Sequence, residues 1–220
     1  MLTFSSLKTY ALAGMIMIGF AAQAKMATAD ELETLTVAGG CFWCVEADFE
    51  RVDGVTGAVS GYTGGTVENP TYKQVTRGGT GHYEAVQITY DPSIVSRATL
   101  LNLFFRSVDP TDAGGQFCDR GESYRTAIFA DTPQAQEEAA AAKAKAGKVL
   151  GATIVTPILP ASEFYLAEEY HQDYYKSTDL VITRFGPKRK ASAYKAYRNA
   201  CGRDQRVQEL WGADAPFLPS

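Results

Sequence analysis

Four cysteines are the residues of this chain best suited to covalent chemistry, and two of them lie in the segment Gly39-Gly40-Cys41-Phe42-Trp43-Cys44-Val45-Glu46. The apolar run before the segment predicts a short buried strand, and Val45, Phe49 and Val52 are spaced as one face of a helix. Cys41 is therefore expected where a strand turns into a helix. Unpaired backbone N–H groups and the helix dipole at that point favour a thiolate, the nucleophilic form of cysteine.

Other interpretations of this segment start from the cysteines alone. Cys41 could be a buried structural cysteine or half of a disulfide. The pattern Cys41-Phe42-Trp43-Cys44 after a strand is also typical of thioredoxin-type thiol-disulfide oxidoreductases. A zinc site formed by Cys41, Cys44, His82 and His171 is a further hypothesis, although only one pair has the usual ligand spacing. Two glycines, an aromatic pair and a second cysteine one turn on favour a reactive thiol.

A carboxyl group is expected to act beside this thiol. Residues 82–90 alternate as a strand, and Glu84 falls on the face that continues into Val86 and Ile88. Burial on that face would raise the pKa of Glu84 and keep it a proton donor near neutral pH. A reactive thiol beside a protonated acid suits attack on a centre whose leaving oxygen must be protonated. The alternative is an exposed carboxylate at the end of the strand.

The remaining pattern indicates one α+β domain, for which 220 residues are sufficient. Further strands are predicted at 57–62, 124–130 and 153–159. Helices are predicted after the cap Ser96, from Thr132-Pro133 onward, and over 167–176. From Ser177 onward the chain is basic and then irregular, and we interpret Lys188, Arg189 and Lys190 as part of a solvated tail.

Composition and the first residues limit the class of protein. A formal charge of -4 argues against a nucleic-acid-binding surface. Lys8 precedes an apolar run over 10–22, and Ala22-Gln23-Ala24 has the small residues of a cleavage site, with Ala27-Thr28-Ala29 as a second site. The run is shorter than the ~20 residues that span a bilayer. The sequence therefore predicts a cleaved secretory signal over residues 1–24 and an exported, periplasmic protein without stable membrane insertion.

Several motifs over residues 34–176 together resemble the A-class peptide methionine sulfoxide reductases in order and spacing. The motifs are Gly40-Cys41-Phe42-Trp43, Gly61-Tyr62-Thr63-Gly64-Gly65, Asn69-Pro70-Thr71-Tyr72, Gly81-His82-Tyr83-Glu84, Tyr90-Asp91-Pro92, Gln116-Phe117-Cys118-Asp119-Arg120-Gly121, Tyr124-Arg125 and Tyr170-His171-Gln172. The resemblance implies a single-domain ferredoxin-like two-layer sandwich with a mixed, mainly antiparallel sheet. It implies a catalytic domain over 34–176, followed by a C-terminal tail over 177–220 that carries Cys201.

The resemblance also implies an activity, the reduction of the S epimer of methionine sulfoxide, free or in peptides and proteins. Cys41 would attack the sulfoxide sulfur, and Glu84 would protonate the oxygen with the hydroxyls of Tyr72 and Tyr124. Asp119 would position the substrate backbone or a water network. The apolar wall for the S-methyl group would be Phe42 and Trp43.

The rest of the implied cycle restores the cysteine. Oxygen transfer leaves Cys41 as a sulfenic acid, a second thiol condenses with it, and a thioredoxin-like dithiol reductant reduces the resulting disulfide. Cys201, Cys44 and Cys118 are the three possible resolving thiols, and a structural Cys118–Cys201 bridge is a further alternative. The resemblance implies no cofactor and no metal, and we expect a monomer.

Overall fold

The computed structural model describes residues 31–183 and 186–218, so the predicted signal over 1–24 lies outside the described residues. In chain order the elements are β1 (Glu33–Gly39), α1 (Phe42–Phe49), β2 (Val55–Thr63), α2 (Tyr72–Arg77), β3 (Tyr83–Tyr90), α3 (Arg97–Ser107), β4 (Gly115–Gln116), β5 (Asp119–Arg120), β6 (Thr126–Ala130), α4 (Pro133–Leu150), β7 (Ile158–Pro160), β8 (Tyr165–Leu166), β9 (Leu180–Thr183), β10 (Gly186–Arg189), α5 (Lys190–Ala200) and α6 (Arg203–Trp211). Short 3₁₀ turns lie at Glu122–Tyr124, Glu169–His171 and Gly212–Asp214.

One sheet organises the fold, with six strands in the order β7-β6-β1-β3-β2-β8. Every neighbouring pair is antiparallel except β6 and β7, which run parallel. Strand β1 therefore lies at the interior of the sheet, and the chain leaves it directly into α1. The prediction of an α+β domain with a mixed, mainly antiparallel sheet is confirmed.

The strands alternate as their sequences predict, with one face buried under helices. Val86, Ile88 and Tyr90 of β3 are fully buried and form one cluster with residues of α1, α3 and α4. The opposite face carries a smaller cluster that includes Tyr83 and Phe129. Each large apolar side chain buried in this way contributes about 1.5–3 kcal/mol. The cluster on the helix-covered face of the sheet thus holds α1 against the strands.

The predicted helix starts agree with the structure because their capping residues act as expected. The Ser96 hydroxyl accepts a hydrogen bond from the Thr99 N–H at 3.2 Å, and the Thr132 hydroxyl accepts one from Ala135 at 3.1 Å. Each cap satisfies an N–H group that the first helical turn leaves unpaired.

Two predicted elements are wrong in extent. Of the strand predicted at 153–159, only Ile158–Pro160 pairs with the sheet, because the Val155 N–H donates instead to the Pro110 carbonyl. The helix predicted over 167–176 is reduced to the turn Glu169–His171. Asp173 has a φ of 54°, which an α-helix does not accept, and its N–H donates to the Glu46 carboxylate.

The prediction of an irregular segment after residue 177 is also wrong. Strands β9 and β10 form a hairpin, and α5 and α6 follow it. The buried residues of these helices recur every four residues, at Tyr194 and Arg198 in α5 and at Arg203, Val207 and Trp211 in α6. Two of them are arginines, and their polarity obscured the helical period in the sequence. Across the described part of the chain, no helix combines the length and hydropathy needed to cross a bilayer.

Candidate active site

Cys41 occupies the turn between β1 and α1, as the glycines before it predict. Gly40 has a φ of 81°, and a Cβ atom there would lie 2.6 Å from the Cβ of Gln116, so only glycine fits. Cys41 is the N-cap of α1, and its carbonyl accepts a hydrogen bond from the Cys44 N–H at 3.1 Å. The Cys41 side chain is held in the core, with 6% of the residue exposed.

The two thiols of this turn interact with each other. Burial raises the pKa of Cys41 well above its ordinary value, and a hydrogen bond shared with Cys44 adds to the shift. The same hydrogen bond lowers the pKa of Cys44, and the positive charges of Arg203 and Arg198 add to that shift. The expectation of a resting Cys41 thiolate is therefore wrong, because loss of hydration outweighs the helix dipole. Cys41 rests as a thiol, and its proton must leave as the reaction proceeds.

Glu84 lies directly beside the nucleophile. Its carboxylate Oε2 accepts a hydrogen bond from the N–H of Phe42, the residue after Cys41, at 3.1 Å. Only 1% of Glu84 is exposed, because β3 places it on the buried face of the sheet. Burial raises the pKa of Glu84 to about 8, against the opposing effect of the Phe42 N–H. The side chain is therefore protonated at neutral pH and can give up that proton.

Two tyrosine hydroxyls face the same carboxyl group. Burial raises the pKa of Tyr72 to about 12, and the Glu84 charge adds to it. Burial and Glu84 also raise the pKa of Tyr124, whose hydroxyl interacts with both Tyr72 and Glu84. Both phenols therefore stay protonated and act as hydrogen-bond donors. Tyr72 is fixed at the start of α2, where its N–H donates to Glu168 at 2.9 Å.

Asp119, the last of the predicted catalytic residues, lies on β5. Its carboxylate accepts a hydrogen bond from the hydroxyl of Tyr197, which α5 brings to the site. Burial raises the pKa of Asp119, and the Tyr197 hydroxyl and Arg203 oppose that shift. Asp119 therefore joins the catalytic turn to the C-terminal helices, a contact that the motifs did not predict.

Aromatic rings enclose the space next to Cys41. The rings of Trp43 and Tyr174 stack with centroids 3.8 Å apart and an angle of 11° between their planes. The His171 ring lies 5.0 Å from that of Phe42 and 4.4 Å from that of Tyr72. Burial lowers the pKa of His171 to about 4, so the imidazole is neutral. Within the described residues, both His171 ring nitrogens and the Trp43 indole nitrogen are buried without a hydrogen-bond partner.

The other two cysteines form a disulfide. Cys118 and Cys201, 83 residues apart in the chain, are bonded with their Cα atoms 4.9 Å apart. The bridge ties the residue before Asp119 to the end of α5, and Cys118 is exposed. A cavity of about 550 Å³ lies beside it, lined by Trp43, Tyr174, Tyr197 and both half-cystines. Cys41 does not line this cavity.

Two buried arginines connect the C-terminal helices to α1. Asp48 of α1 is 0% exposed and receives Arg198 from α5 at 2.7 Å. Arg203 of α6 is 2% exposed and donates to the carbonyls of Gly39 and Ser107 at 3.2 and 2.9 Å. A buried charge is tolerated only with such partners. The helix that carries the thiols is therefore completed by residues of the C-terminal segment.

The zinc hypothesis fails at one of its four ligands. His82 Nδ1 accepts from the Gly65 N–H at 3.1 Å, and Nε2 lies 2.8 Å from the Val67 carbonyl oxygen. Both ring nitrogens of His82 are thus used to fix the loop after β2, which leaves no lone pair for a metal. A separate group of possible metal ligands consists of the carboxylates of Glu46, Glu50 and Asp173. The Lys176 ammonium pairs with two of them, at 2.7 Å from Glu50 and 2.8 Å from Asp173.

The structure brings together Cys41, Cys44, Phe42, Trp43 and Glu84, with Tyr72, Tyr124 and Asp119 around them. The sequence interpretation missed Tyr174 and Tyr197 as site residues. Tyr174 lies three residues after His171, and Tyr197 lies four residues before Cys201, so each neighbours a residue that the motifs had singled out.

Comparison with known proteins agrees with this geometry. The family model described as "Peptide methionine sulfoxide reductase" matches residues 33–213. The protein "Peptide methionine sulfoxide reductase MsrA 2" of Caulobacter vibrioides is 50% identical over 192 residues, which is 87% of this chain and 91% of that protein. The Bacillus subtilis "Peptide methionine sulfoxide reductase MsrA" is 45% identical over 84% of this chain and 98% of its own length.

Solved structures show the same relationship. Mxr1 from Saccharomyces cerevisiae in its reduced form superposes with a TM-score of 0.63 at 34% identity, covering 66% of this chain and 84% of Mxr1. Methionine sulfoxide reductase A of Corynebacterium diphtheriae gives a TM-score of 0.59 at 34% identity, covering 65% of this chain and 73% of that one. The chain belongs to the A class of the peptide methionine sulfoxide reductase family.

Proposed function

We propose that this protein reduces the S epimer of methionine sulfoxide, free or within proteins, to methionine. The observation that carries the proposal is the hydrogen bond from the Phe42 N–H to Glu84 at 3.1 Å. It holds an acid that is protonated at neutral pH next to the nucleophilic cysteine, which is the pairing that this reaction needs. The preference for the S epimer is carried over from the family.

The reaction begins with a thiol, because burial holds Cys41 protonated at rest. As the Cys41 sulfur attacks the sulfoxide sulfur, Glu84 gives its proton to the sulfoxide oxygen, and the thiol proton of Cys41 passes to the Glu84 carboxylate and restores the acid. The oxygen is transferred to Cys41, so that methionine departs and the cysteine becomes a sulfenic acid. The hydroxyls of Tyr72 and Tyr124 donate hydrogen bonds to the developing charge on the oxygen. Asp119 positions the substrate backbone, and Phe42 and Trp43 contact the S-methyl group.

Cys44 is the resolving thiol that the contacts favour among the three possible ones. It shares a hydrogen bond with Cys41, and that bond, together with the charges of Arg203 and Arg198, lowers the pKa of Cys44. Cys118 and Cys201 are already bonded to each other. Attack of Cys44 on the sulfenic acid forms the Cys41–Cys44 disulfide and releases water. A thioredoxin-like dithiol reductant then supplies two electrons, which closes the cycle without a cofactor or a metal.

The proposal has four further parts, which concern the fold, the domains, the location and the assembly. The strand order β6-β1-β3-β2, with α1 and α3 as the connecting helices, supports a ferredoxin-like sandwich. The catalytic domain over residues 34–176 supplies the groups that act on the substrate, and the C-terminal tail over 177–220 carries Cys201. The apolar segment over residues 10–22 supports export to the periplasm after cleavage, without membrane insertion. We propose a monomer that binds no nucleic acid.

The test offers the two separated epimers of a blocked methionine sulfoxide to the wild-type protein with dithiothreitol. We expect turnover of the S epimer alone, none with Cys41→Ser, and slowed reduction with Glu84→Gln while alkylation of Cys41 continues. Glu137→Gln, at an exposed glutamate of α4, is the matched control and should act as the wild type. Turnover by Cys41→Ser or equal use of both epimers would contradict the mechanism.

The same experiment separates the thioredoxin-type alternative. A thiol-disulfide oxidoreductase using Cys41 and Cys44 would reduce protein disulfides and be indifferent to Glu84→Gln. The burial of both sulfurs, 6% and 2% exposed, does not favour direct contact with a protein disulfide.

A further inference from the structure

Glu46 is a buried carboxyl group that the proposed reaction does not use. It lies on α1, five residues after the nucleophile, and is 1% exposed. Its two oxygens contact different parts of the fold. Oε2 accepts from the Ser60 hydroxyl of β2, and Oε1 accepts from the backbone N–H of Asp173 at 2.6 Å. One side chain thus joins the catalytic helix, the sheet and the segment that follows the turn Glu169–His171.

That segment supplies two of the rings around the thiol. His171 lies against Phe42 and Tyr72, and Tyr174 stacks on Trp43. Asp173 between them has a φ of 54°, a backbone conformation that a residue with a side chain adopts only when contacts hold it. Gln172 anchors the segment to the backbone of Ser60, with bonds of 3.0 and 2.9 Å. The hydrogen bond to Glu46 fixes the backbone amide of Asp173, while Lys176 pairs with its side chain at 2.8 Å.

We propose that Glu46 is a positioning residue for the substrate, which sets the Trp43–Tyr174 wall by holding the Asp173 amide at a fixed distance from α1. This role rests on the proposed function, because it assigns Trp43 to the sulfoxide substrate. Two features of the Glu46 side chain matter for this role, its length and its hydrogen-bond acceptor oxygen. Its charge is not required, because a neutral side chain of the same shape offers the same acceptor to Asp173.

The surroundings of Glu46 agree with a role that does not depend on charge. Burial raises the pKa of Glu46 to about 7, so the charged and neutral forms both occur near neutral pH. The nearest charged groups are Glu50 on the same helix, with Asp173 and Lys176 on the facing segment. Lys176 bonds to Glu50 and Asp173, so the ammonium balances those two carboxylates. In either form, Oε1 of Glu46 can accept from the Asp173 N–H.

Two substitutions separate length from charge. Glu46→Gln removes the charge and keeps the length, so its oxygen accepts from Asp173 and its amide donates to Ser60. Glu46→Asp keeps the charge but is one methylene shorter, so it cannot reach Ser60 and Asp173 together. With the S epimer of a blocked methionine sulfoxide and dithiothreitol, we expect Glu46→Asp to raise KM ~10-fold with kcat within about twofold. Glu46→Gln should keep both within about twofold of the wild type.

A spectroscopic signal reports the wall directly. The near-ultraviolet circular dichroism of the wild type minus that of Trp43→Phe isolates the stacked Trp43 ring, since the chain has two tryptophans. We expect Glu46→Asp to lose most of this difference band and Glu46→Gln to keep it. Glu137→Gln, at an exposed position of α4, is the control, and thermal unfolding of each variant identifies any that fail to fold.

The outcomes separate this role from the proposed function. If the wild type reduces no sulfoxide, the function is wrong, while the dichroism band still tests the positioning of Trp43. If Glu46→Gln raises KM and loses the band while Glu46→Asp does neither, charge is the acting property and the inference is overturned. Equal losses of stability in both variants with unchanged KM and an unchanged band would show an ordinary structural role and overturn it as well.

Discussion

Cys41 and Cys44 lie side by side as thiols at the start of α1, 6% and 2% exposed, whereas Cys118 and Cys201 form a disulfide near the surface. The inner pair has the Glu84 carboxyl, two phenols and an aromatic wall around it. The outer pair lines an open cavity, and Cys118 is exposed to solvent. The chain thus holds one pair of sulfurs where water is excluded and another where a second protein can reach it.

The buried and the surface cysteine pairs are suited to different chemical steps. Oxygen transfer needs a proton donor, and an acid with a raised pKa exists only where it is removed from water. Exchange with an external dithiol needs an accessible sulfur, because the attacking thiolate must form a bond to it. We therefore expect the inner pair to control the chemical step. A protein reductant would reduce the outer disulfide to a dithiol, which passes the two electrons to the Cys41–Cys44 disulfide by exchange and is itself reoxidised.

The largest effect is expected from Cys41→Ser, set against Cys118→Ser. A serine hydroxyl cannot take the sulfoxide oxygen, so the rate should fall by at least ~10⁴-fold. Cys118→Ser leaves the inner pair intact and should form methionine as the wild type does. The measurement is the methionine formed per enzyme in one turnover without reductant. A comparable loss of methionine formation in both variants would contradict the assignment of the chemical step to the inner pair alone.

The next largest effect is expected from Glu84, the acid beside the inner pair. The pKa of Glu84 is raised to about 8, so the proton is present below that pH and lost as the pH rises through it. The single-turnover rate should therefore fall ~10-fold per pH unit well above pH 8. Glu84→Gln should be ~10²–10³-fold slower at pH 7 and lose the fall that Glu84 causes. An unchanged pH profile in Glu84→Gln would assign the proton to another group.

Cys44→Ser is expected to stop the cycle after the first turnover. Oxygen transfer does not involve Cys44, so one methionine per enzyme should still form. The Cys41 sulfenic acid should then persist, detected by mass as a dimedone adduct, and steady-state turnover with a protein dithiol should fall ~10²-fold. Rapid loss of the sulfenic acid in this variant would show that another cysteine resolves it.

The smallest effect is expected at the outer pair. Replacing Cys118 and Cys201 together by serine should leave turnover with dithiothreitol within about twofold of the wild type. Turnover with thioredoxin should fall ~10-fold, because a folded dithiol protein cannot approach the buried sulfurs. Both rates are measured with the same blocked sulfoxide. Equal turnover by thioredoxin before and after the substitution would make the bridge purely structural.

The sequence predicts the parts of this molecule that local patterns determine. The alternation of β3 placed Glu84 on the buried face, and the glycines placed Cys41 at the start of a helix. The burial and raised pKa of Glu84 followed from that face. Ser96 and Thr132 cap their helices through hydroxyl contacts within three residues.

The parts that could not be predicted depend on contacts between distant residues. The chain over 167–176 has the composition of a helix, but Glu46, 127 residues from Asp173, takes the amide that a helix would use. The resting state of Cys41 is set by burial under Tyr174 and Tyr194, which lie far along the chain. The helices α5 and α6 bury two arginines, and their partners Asp48, Gly39 and Ser107 belong to the first half of the chain.

The contact between Asp48 and Arg198 has a consequence for the order of events during synthesis. These residues are 150 positions apart, so until Arg198 has been synthesised Asp48 relies on Arg51, a half-exposed side chain 2.7 Å away and three residues further on. Removing one partner of a buried ion pair costs about 3–5 kcal/mol, a large share of the ~5–15 kcal/mol that keeps a domain folded. The nascent chain therefore carries the groups that act on the sulfoxide before it carries the arginine that completes this buried pair. We expect the helix with the thiols to reach its full stability only once α5 has been synthesised.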